Sequence, residues 1–155
     1  NVPKRHGTGS NLLVPYQVFE TADRPICIAA GNDRLWVKCA QALGKPEWAT
    51  DERFSDGRKR ATNREVLIPL IAEVVKTNTR EHWIAALGKV GVPVAPVNNI
   101  AELAQSEQLA AMDMQRTLPG SNLAVMGLPL NFDGKRPHPH SDSPKLGQHN
   151  KEVFG

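Results

Sequence analysis

The hydrophobic pattern near the start of the chain predicts a small antiparallel sheet. Two apolar runs, Val14–Thr21 and Pro25–Ala30, flank the polar turn Ala22–Arg24, and this arrangement predicts a β-hairpin. Val92–Val97 carries two prolines, which disfavour a helix and favour an extended backbone. We therefore expect two paired strands early in the chain and a further extended segment much later.

A helix is predicted directly after the hairpin. Asn32 or Asp33 stands where a side-chain oxygen can cap its first turn, and Gly44 ends the pattern. The apolar positions recur with helical spacing. They are Leu35, Trp36, Cys39, Ala40 and Leu43.

Residues 45–61 show no clear period and are predicted to be irregular. Trp48 and Phe54 are expected to pack this stretch against the core. The densest basic spot of the chain is Arg58–Arg60, which we interpret as the solvated start of a helix, because runs of like charge usually lie on exposed faces. Contact with a phosphate group is the alternative interpretation.

Two further helices are predicted from their caps and apolar stripes. Thr62–Glu65 has the spacing of a capping box, in which each side chain bonds to the other residue's backbone amide. Pro69 lies within the stripe that follows and can kink the helix or mark its true start. Thr79 is expected to cap the next helix. The predicted inward positions are Leu67, Leu70, Ile71, Val74 and Val75, then Trp83, Ile84, Leu87 and Val90.

The last third of the chain is predicted to contain only short elements. Ile100–Ala111 reads as a helix with a break near Ser106, and Gln115–Leu118 and Leu123–Val125 as two short strands around a turn. Residues 127–148 are predicted to be an extended tail with no core of its own. Its prolines are Pro129, Pro137, Pro139 and Pro144.

These elements together predict an α+β fold. We expect a small domain with a short antiparallel sheet and several helices, followed by an extended proline-containing tail. The expected boundaries are a linker or loop over 1–13, the small α+β domain over 14–118 and a C-terminal tail over 119–155. Because the chain begins with Asn1 and not Met, we also expect that it was cut from a longer protein or was processed.

Composition and charge narrow the classes of partner. The net charge is only +3, and no basic stripe is interleaved with aromatic residues, so a nucleic-acid partner is not expected. No apolar stretch approaches the length of a membrane span, so a membrane partner is not expected either. Cys27 and Cys39 lie in apolar runs, are interpreted as buried thiols, and favour a reducing, cytoplasmic compartment.

Candidate catalytic chemistry is sparse in the sequence. His138 and His140 flank a proline, but no third ligand is nearby, so no metal site is predicted. Neither a nucleophile elbow nor a phosphate loop is present. The acids Asp23, Asp33, Asp51 and Asp56 each have a structural explanation as turn, cap or loop residues, and none is expected to have a partner that shifts its pKa.

The glycine-rich segment His6–Ser10 is the one loop that invites a functional interpretation. It does not follow a strand, so a phosphate-binding role is not supported. A flexible linker and a substrate-touching loop both remain open for it.

The order of several short motifs resembles the family III CoA-transferases, also called the CaiB/BaiF family. Each motif alone is weak, but their order runs over nearly the whole chain. The motifs are Pro15–Asp23, Gly31–Asp33 with Trp36, Leu43–Pro46, Asp51–Phe54, Arg60–Arg64, Gly91–Val97 and Leu146–His149, where Gln148 replaces a glutamate.

The resemblance implies the C-terminal part of an acyl-CoA:carboxylate CoA-transferase. In such enzymes an aspartate of the N-terminal domain forms an aspartyl-CoA intermediate, so no catalytic residue is assigned in this chain, and the isolated piece is expected to be inactive. Coenzyme A is a substrate, no cofactor is expected, and the partners are an acyl-CoA, a carboxylic acid acceptor and a second copy in a homodimer. The family's glycine loop corresponds here to Gly7, Gly9 and Ser10, the candidate substrate-binding residues.

Two alternatives remain open at this stage. The α-methylacyl-CoA racemases of the same family often carry a Glu-Pro pair where this chain has Asp33 and Arg34, which favours a transferase over a racemase. The second alternative is a non-catalytic binding module with the same fold.

Overall fold

The computed structural model describes residues 5–155, and its short antiparallel sheets and several helices confirm the predicted α+β class. The chain divides into two compact units, one ending at Val97 and the other spanning Asn98–Gly155. The linker expected over 1–13 lies partly outside the described residues, because 1–4 are not among them.

The sheet of the first unit contains β1 (Tyr16–Phe19), β2 (Ile26–Ala29) and β3 (Val94–Pro96), in that order and antiparallel throughout. The predicted hairpin is confirmed as β1 and β2, and the proline-containing segment supplies β3. Phe19 and Ile26 face each other across the hairpin and are buried, so this face of the sheet covers the core.

The first helix, α1 (Asp33–Ala42), begins after Asn32, whose Oδ1 accepts the N–H of Leu35 at 2.8 Å. Asn32 is therefore the cap, which decides between the two residues that the sequence offered. Its predicted stripe is confirmed. The buried members are Trp36, Cys39, Ala40 and Leu43.

The stretch predicted to be irregular contains two short helical elements. A 3₁₀ turn covers Pro46–Ala49, and α2 covers Gly57–Thr62. The prediction for 45–61 is therefore wrong over these parts. Asp56 caps α2 by accepting the N–H of Lys59 at 2.8 Å, and a helix of so few turns is too short to show a hydrophobic period.

Arg60 is fully buried, which overturns its interpretation as part of a solvated helix start. Arg58 and Lys59 are exposed, as that interpretation expected. The Arg60 guanidinium donates to three backbone carbonyl oxygens, those of Val14 at 2.7 Å, Gly31 at 3.0 Å and Phe54 at 3.2 Å. Arg60 therefore joins the segments before α1 to the end of α2.

The next helix, α3 (Arg64–Val75), follows α2 after the single residue Asn63, whose side chain makes no cap hydrogen bond. The predicted capping box is wrong, because Thr62 is the last residue of α2. Pro69 lies inside the helix, and Leu70, expected to face inward, is exposed. The buried stripe has a strict four-residue spacing and consists of Leu67, Ile71 and Val75.

The last helix of the first unit is α4 (Arg80–Lys89). Thr79 caps it as predicted, since its Oγ1 accepts the N–H of His82 at 3.3 Å. Gly91, with φ of +74°, turns the chain toward β3. Trp83 and Leu87 are buried as expected.

One hydrophobic cluster unites these elements. Trp36 stacks on Trp48 of the 3₁₀ turn, with ring centroids 6.5 Å apart and planes 4° from parallel. Phe54 is also buried, so both aromatic residues of this stretch pack against the core as predicted. The cluster joins the inner sheet face to the buried stripes of α1, α3 and α4.

The second unit contains α5 (Ile100–Ala104), α6 (Glu107–Ala111), β4 (Gln115–Thr117), β5 (Ala124–Met126) and α7 (Asn150–Phe154). The predicted break is confirmed, because Ser106 caps α6. β4 and β5 pair antiparallel, and Leu118 N–H donates to Leu123 O at 2.9 Å beyond their ends. The domain boundary expected after residue 118 thus falls between two paired strands, whereas the compact units separate at Val97.

Candidate functional site

The loop Gly7–Ser10 lies along the free edge of β1. That strand pairs with β2 on one side only. On its other side, Ser10 N–H donates to Tyr16 O at 3.0 Å, and Val18 N–H donates to Thr8 Oγ1 at 3.1 Å. The loop is therefore attached to the sheet at two points, one through the backbone and one through a side chain.

The local geometry of this loop favours glycine at both positions 7 and 9. Gly7 has φ of +60°, a region that favours glycine, and it lies inside the turn that closes where Gly9 N–H donates to His6 O at 2.9 Å. A Cβ on Gly9 would lie 2.9 Å from Gln17 Oε1 and 3.2 Å from Arg64 Nη2. Gly9 thus permits a close approach between the loop and two polar side chains.

Ser10 fixes the exit of the loop. Its Oγ accepts the N–H groups of Leu12 at 3.3 Å and Leu13 at 3.2 Å, and its carbonyl oxygen accepts Arg64 Nη2 at 2.9 Å. Arg64 was missed as a loop-positioning residue by the sequence reasoning, which placed it inside a capping box. Its membership in the Arg60–Arg64 motif was the signal that could have drawn attention to it.

An open depression of about 290 Å³ is lined by Thr8, Gly9, Ser10 and Tyr16. Three of these residues carry hydroxyl groups. The Thr8 and Ser10 oxygens already accept backbone N–H groups, so each hydroxyl proton remains able to donate. The depression is suited to an oxygen-rich ligand. The structure places Gly9 and Ser10 in its lining, and Gly7 in the turn beside it.

Two of the four acids singled out from the sequence have depressed pKa values. The Asp23 carboxylate accepts the Thr21 hydroxyl at 2.7 Å and the Arg80 N–H at 2.8 Å, which lowers its pKa to about 2. Hydrogen bonds from Arg53 lower the pKa of Asp51, also to about 2. The expectation that these acids lack pKa-shifting partners is therefore wrong, since the partners of Asp23 include a residue far along the chain.

The other two acids serve the ends of helices. Asp33 Oδ1 lies 2.9 Å from Arg60 Nη2, and Asp56 caps α2. Carboxylates that are held in this way support the fold. None of the four acids lines the depression beside the loop.

The two thiols differ in their surroundings. Cys39 is fully buried, and burial raises the pKa of its thiol to about 12, so it remains protonated and unreactive. Cys27 is partly exposed, which corrects the expectation that both thiols are buried. Neither cysteine is in a disulfide.

Neither a metal-ligand cluster nor a membrane-spanning helix occurs within residues 5–155. No three His, Cys, Asp or Glu side chains are grouped there as potential ligands, and His138 and His140 belong to no such group. No helix in that range is long and apolar enough to cross a membrane.

The sequence and the fold of this chain were compared with those of known proteins. The sequence pattern of CoA-transferase family III matches residues 1–150. The chain is 32% identical, over 94% of its length, to the acetyl-CoA:oxalate CoA-transferase of Acetobacter aceti. It is 31% identical, over 98% of its length, to the succinyl-CoA:mesaconate CoA-transferase of Haloarcula hispanica.

A solved structure agrees with the sequence match. A CaiB/BaiF family protein from Brucella suis superimposes with a TM-score of 0.81 at 33% identity, over 99% of this chain and 40% of that protein. The chain spans 37% and 39% of the two curated relatives. A match over nearly the whole chain, in sequence and in fold, shows that this chain belongs to CoA-transferase family III.

Proposed function

We propose that the protein containing this chain is an acyl-CoA:carboxylate CoA-transferase and that the chain is its C-terminal part. The observation that carries the proposal is the family match over residues 1–150. The transferase names of the curated relatives support it. Their greater length supports the assignment of the chain to one part of a longer enzyme.

The proposed reaction passes CoA between two carboxylic acids through an enzyme aspartate. The aspartate attacks the acyl thioester carbonyl and expels the CoA thiolate, giving a mixed anhydride. The thiolate then attacks the aspartyl carbonyl and releases the donor acid, leaving an aspartyl-CoA thioester. The acceptor carboxylate reverses these steps, so that one thioester is exchanged for another. The aspartate is assigned to a part of the protein upstream of this chain.

The loop Gly7–Ser10 is proposed to contact the substrate. Its glycines expose backbone, and the hydroxyls of Thr8, Ser10 and Tyr16 can donate to carboxylate or thioester oxygens. The open depression that these residues line supports this role. We assign substrate contacts to Gly7, Gly9 and Ser10.

The proposed reaction defines the two substrates, whereas the homodimer and the cytoplasmic location are proposed from the family resemblance and from the cysteine content. The partners are an acyl-CoA, a carboxylic acid acceptor and a second copy of the protein in a homodimer, acting in the cytoplasm. Coenzyme A is a substrate and not a bound cofactor.

Trapping of the aspartyl thioester tests the proposal. The whole protein is incubated with an acyl-CoA and hydroxylamine, which converts an activated aspartyl group to a hydroxamate detectable by peptide mass spectrometry. We expect a single modified aspartate, upstream of this chain, and only when acyl-CoA is present. The 155-residue chain alone serves as the matched control and is expected to give none. Absence of the hydroxamate from the whole protein would contradict the mechanism.

Asp33 and Arg34, where the racemases often carry a Glu-Pro pair, give no support to the racemase alternative. Asp33 pairs with the buried Arg60, which gives it a structural role at the start of α1. We expect acceptor-dependent CoA transfer without deuterium exchange at the α-carbon of a 2-methylacyl-CoA. Exchange without an acceptor would favour the racemase. An intact native mass equal to that of this chain alone would favour a binding module.

A further inference from the structure

A depression of about 430 Å³ in the second unit is rich in basic side chains. Arg116, Lys135, Arg136 and His138 line it, and Asp113 is the acid among the lining residues. Arg116 lies on β4, and the other basic residues follow β5. The three permanent cations exceed the single carboxylate by two charges, so the depression is electropositive.

The backbone brings the two arginines together at Gly127. A Cβ on that residue would lie 3.5 Å from Arg116 Cγ and 3.7 Å from Arg136 Cδ. Both aliphatic stems therefore pass close to the same point of the chain. Their guanidinium groups bond to the neighbouring residues Asp113 and Met112, and of these only Asp113 supplies a negative charge.

A tight turn places Lys135 beside this pair. Phe132 and Lys135 exchange two backbone hydrogen bonds, at 2.8 and 2.9 Å. The residues between them, Asp133 and Gly134, both have positive φ. The turn thus presents Lys135 and Arg136 in succession, and the Lys135 side chain is exposed.

The hydrogen bonding of the two arginines is incomplete. Arg116 Nη1 pairs with Asp113, and Arg136 Nη1 donates to Met112 O. The Nε groups of both arginines are buried and have no acceptor among the described residues. A buried donor without an acceptor is unfavourable, and such groups are rare in native proteins. Because protein atoms cover these two nitrogens, an anion in the open depression would be held by the Nη2 groups of both arginines, which make no hydrogen bond or ion pair among the described residues.

We propose that this depression binds the dianion of a phosphate monoester or of free phosphate. Arginine suits such a group because its donors match several oxygens of one anion. A phosphate monoester carries about 1.5 to 2 negative charges at neutral pH, which balances the excess of two positive charges. The volume also suits a phosphate group with part of the molecule attached to it. The site lies apart from the Gly7–Ser10 loop in sequence and does not depend on it.

Calorimetric titration of the whole protein with inorganic phosphate tests the site. Ionic strength is held constant with sodium chloride, so that a general salt effect is not counted as binding. We expect saturable binding that Lys135→Glu weakens about tenfold, since reversal of a charge beside an anion acts through direct electrostatics. The folded state of this variant is checked by its urea midpoint, which should not change, because the Lys135 side chain makes no hydrogen bond or ion pair among the described residues.

Lys151→Glu is the matched control. Lys151 is also exposed and belongs to the same unit, but it does not line the depression. The same charge reversal there should leave phosphate binding within twofold of wild type, since only general attraction is altered. Equal weakening by both variants, or no saturable binding in the wild type, would overturn the proposal.

Coenzyme A and 3′-dephospho-coenzyme A distinguish the two sources of the phosphate, and this comparison alone rests on the proposed function. If the 3′-phosphate of coenzyme A is the ligand, Lys135→Glu weakens binding of coenzyme A but not of the dephospho form. If Lys135→Glu weakens the binding of inorganic phosphate but changes the affinity for neither form of coenzyme A, free phosphate or another monoester is the ligand. Equal loss for both forms would overturn the assignment to a monoester. The phosphate titration needs no transferase activity, so the site and the proposed function can fail separately.

Discussion

Arg60 Nη2 lies 2.9 Å from Asp33 Oδ1, so that a fully buried guanidinium meets a carboxylate whose side chain is 62% exposed. The same nitrogen donates to Gly31 O at 3.0 Å. Asp33 supplies the negative charge that accompanies Arg60 at the core boundary, and three backbone carbonyls accept hydrogen bonds from the same guanidinium. The start of α1 is thereby attached to the end of α2.

Replacement of Arg60 should destabilise the protein strongly. Arg60→Leu leaves three carbonyl oxygens without their donor and removes the partner of Asp33, so we expect a loss of about 3 kcal/mol or more in the free energy of unfolding. Arg60→Lys should also be destabilising, because one ammonium group cannot reach all of these acceptors. Urea denaturation measures both effects.

Arg58→Ala is the control for this prediction, because Arg58 is exposed on the same helix. It should change the free energy of unfolding by no more than about 0.5 kcal/mol. Similar losses at the two positions would show that helix charge, and not the buried contacts, explains the effect.

Alanine at Gly31 and at Gly88 should change stability in opposite directions. A Cβ on Gly31 would lie 2.7 Å from Leu13 Cβ, so Gly31→Ala should cost about 1–3 kcal/mol. Gly88 lies exposed within α4, where a Cβ meets nothing within 4 Å. Gly88→Ala should therefore stabilise by about 0.5–1 kcal/mol.

Thermal unfolding of both glycine variants tests this pair. Leu13→Gly should partly restore Gly31→Ala, whereas Leu13→Ala should restore it less, because alanine retains the clashing Cβ. A neutral Gly31→Ala would mean that the backbone shifts freely at this point.

The low pKa of Asp23 should make stability depend on pH in the acid range. The Thr21 hydroxyl, followed by the Arg80 N–H, holds the folded-state pKa at about 2, below the ordinary value of 3.8. The unfolded chain therefore binds the proton first as pH falls. The stabilising contribution is present above pH 3.8 and is lost as pH falls toward 2.

Asp23→Asn isolates this contribution from that of Asp51, which titrates in the same range. Asparagine keeps an acceptor for both donors but removes the charge. Urea midpoints of the wild type and the variant should differ most above about pH 4 and converge toward about pH 2. A difference that stays constant over this range would exclude Asp23 as the source.

Activity should depend on Gly7 but not on a comparable glycine elsewhere. Gly7 and Gly120 both have positive φ, and a Cβ on either would meet nothing within 4 Å. Alanine at each should cost about 1–2 kcal/mol of stability through backbone strain. Only Gly7→Ala should lower kcat/KM for acyl-CoA in the whole protein, because Gly7 is one of the proposed substrate contacts. An equal loss of activity in Gly120→Ala would contradict the role of the loop.

Local sequence signals accounted for most of the secondary structure. The hairpin, the Thr79 cap and the break at Ser106 were predicted correctly because each depends on a short, continuous stretch of sequence. The capping box at Thr62 failed for the same reason, since its spacing does not reveal that another helix ends at that point.

The family and the order of its motifs could be read from the sequence alone, because short motifs keep their order along the chain. The burial of Arg60, the bond from Arg64 to Ser10 and the approach of Arg116 to Arg136 were decided only by the tertiary structure. Each of these contacts joins residues that are distant in sequence. Whether a charged side chain is solvated or buried depends on which carbonyls and carboxylates the fold brings to it, and hydrophobic periodicity carries no information about that.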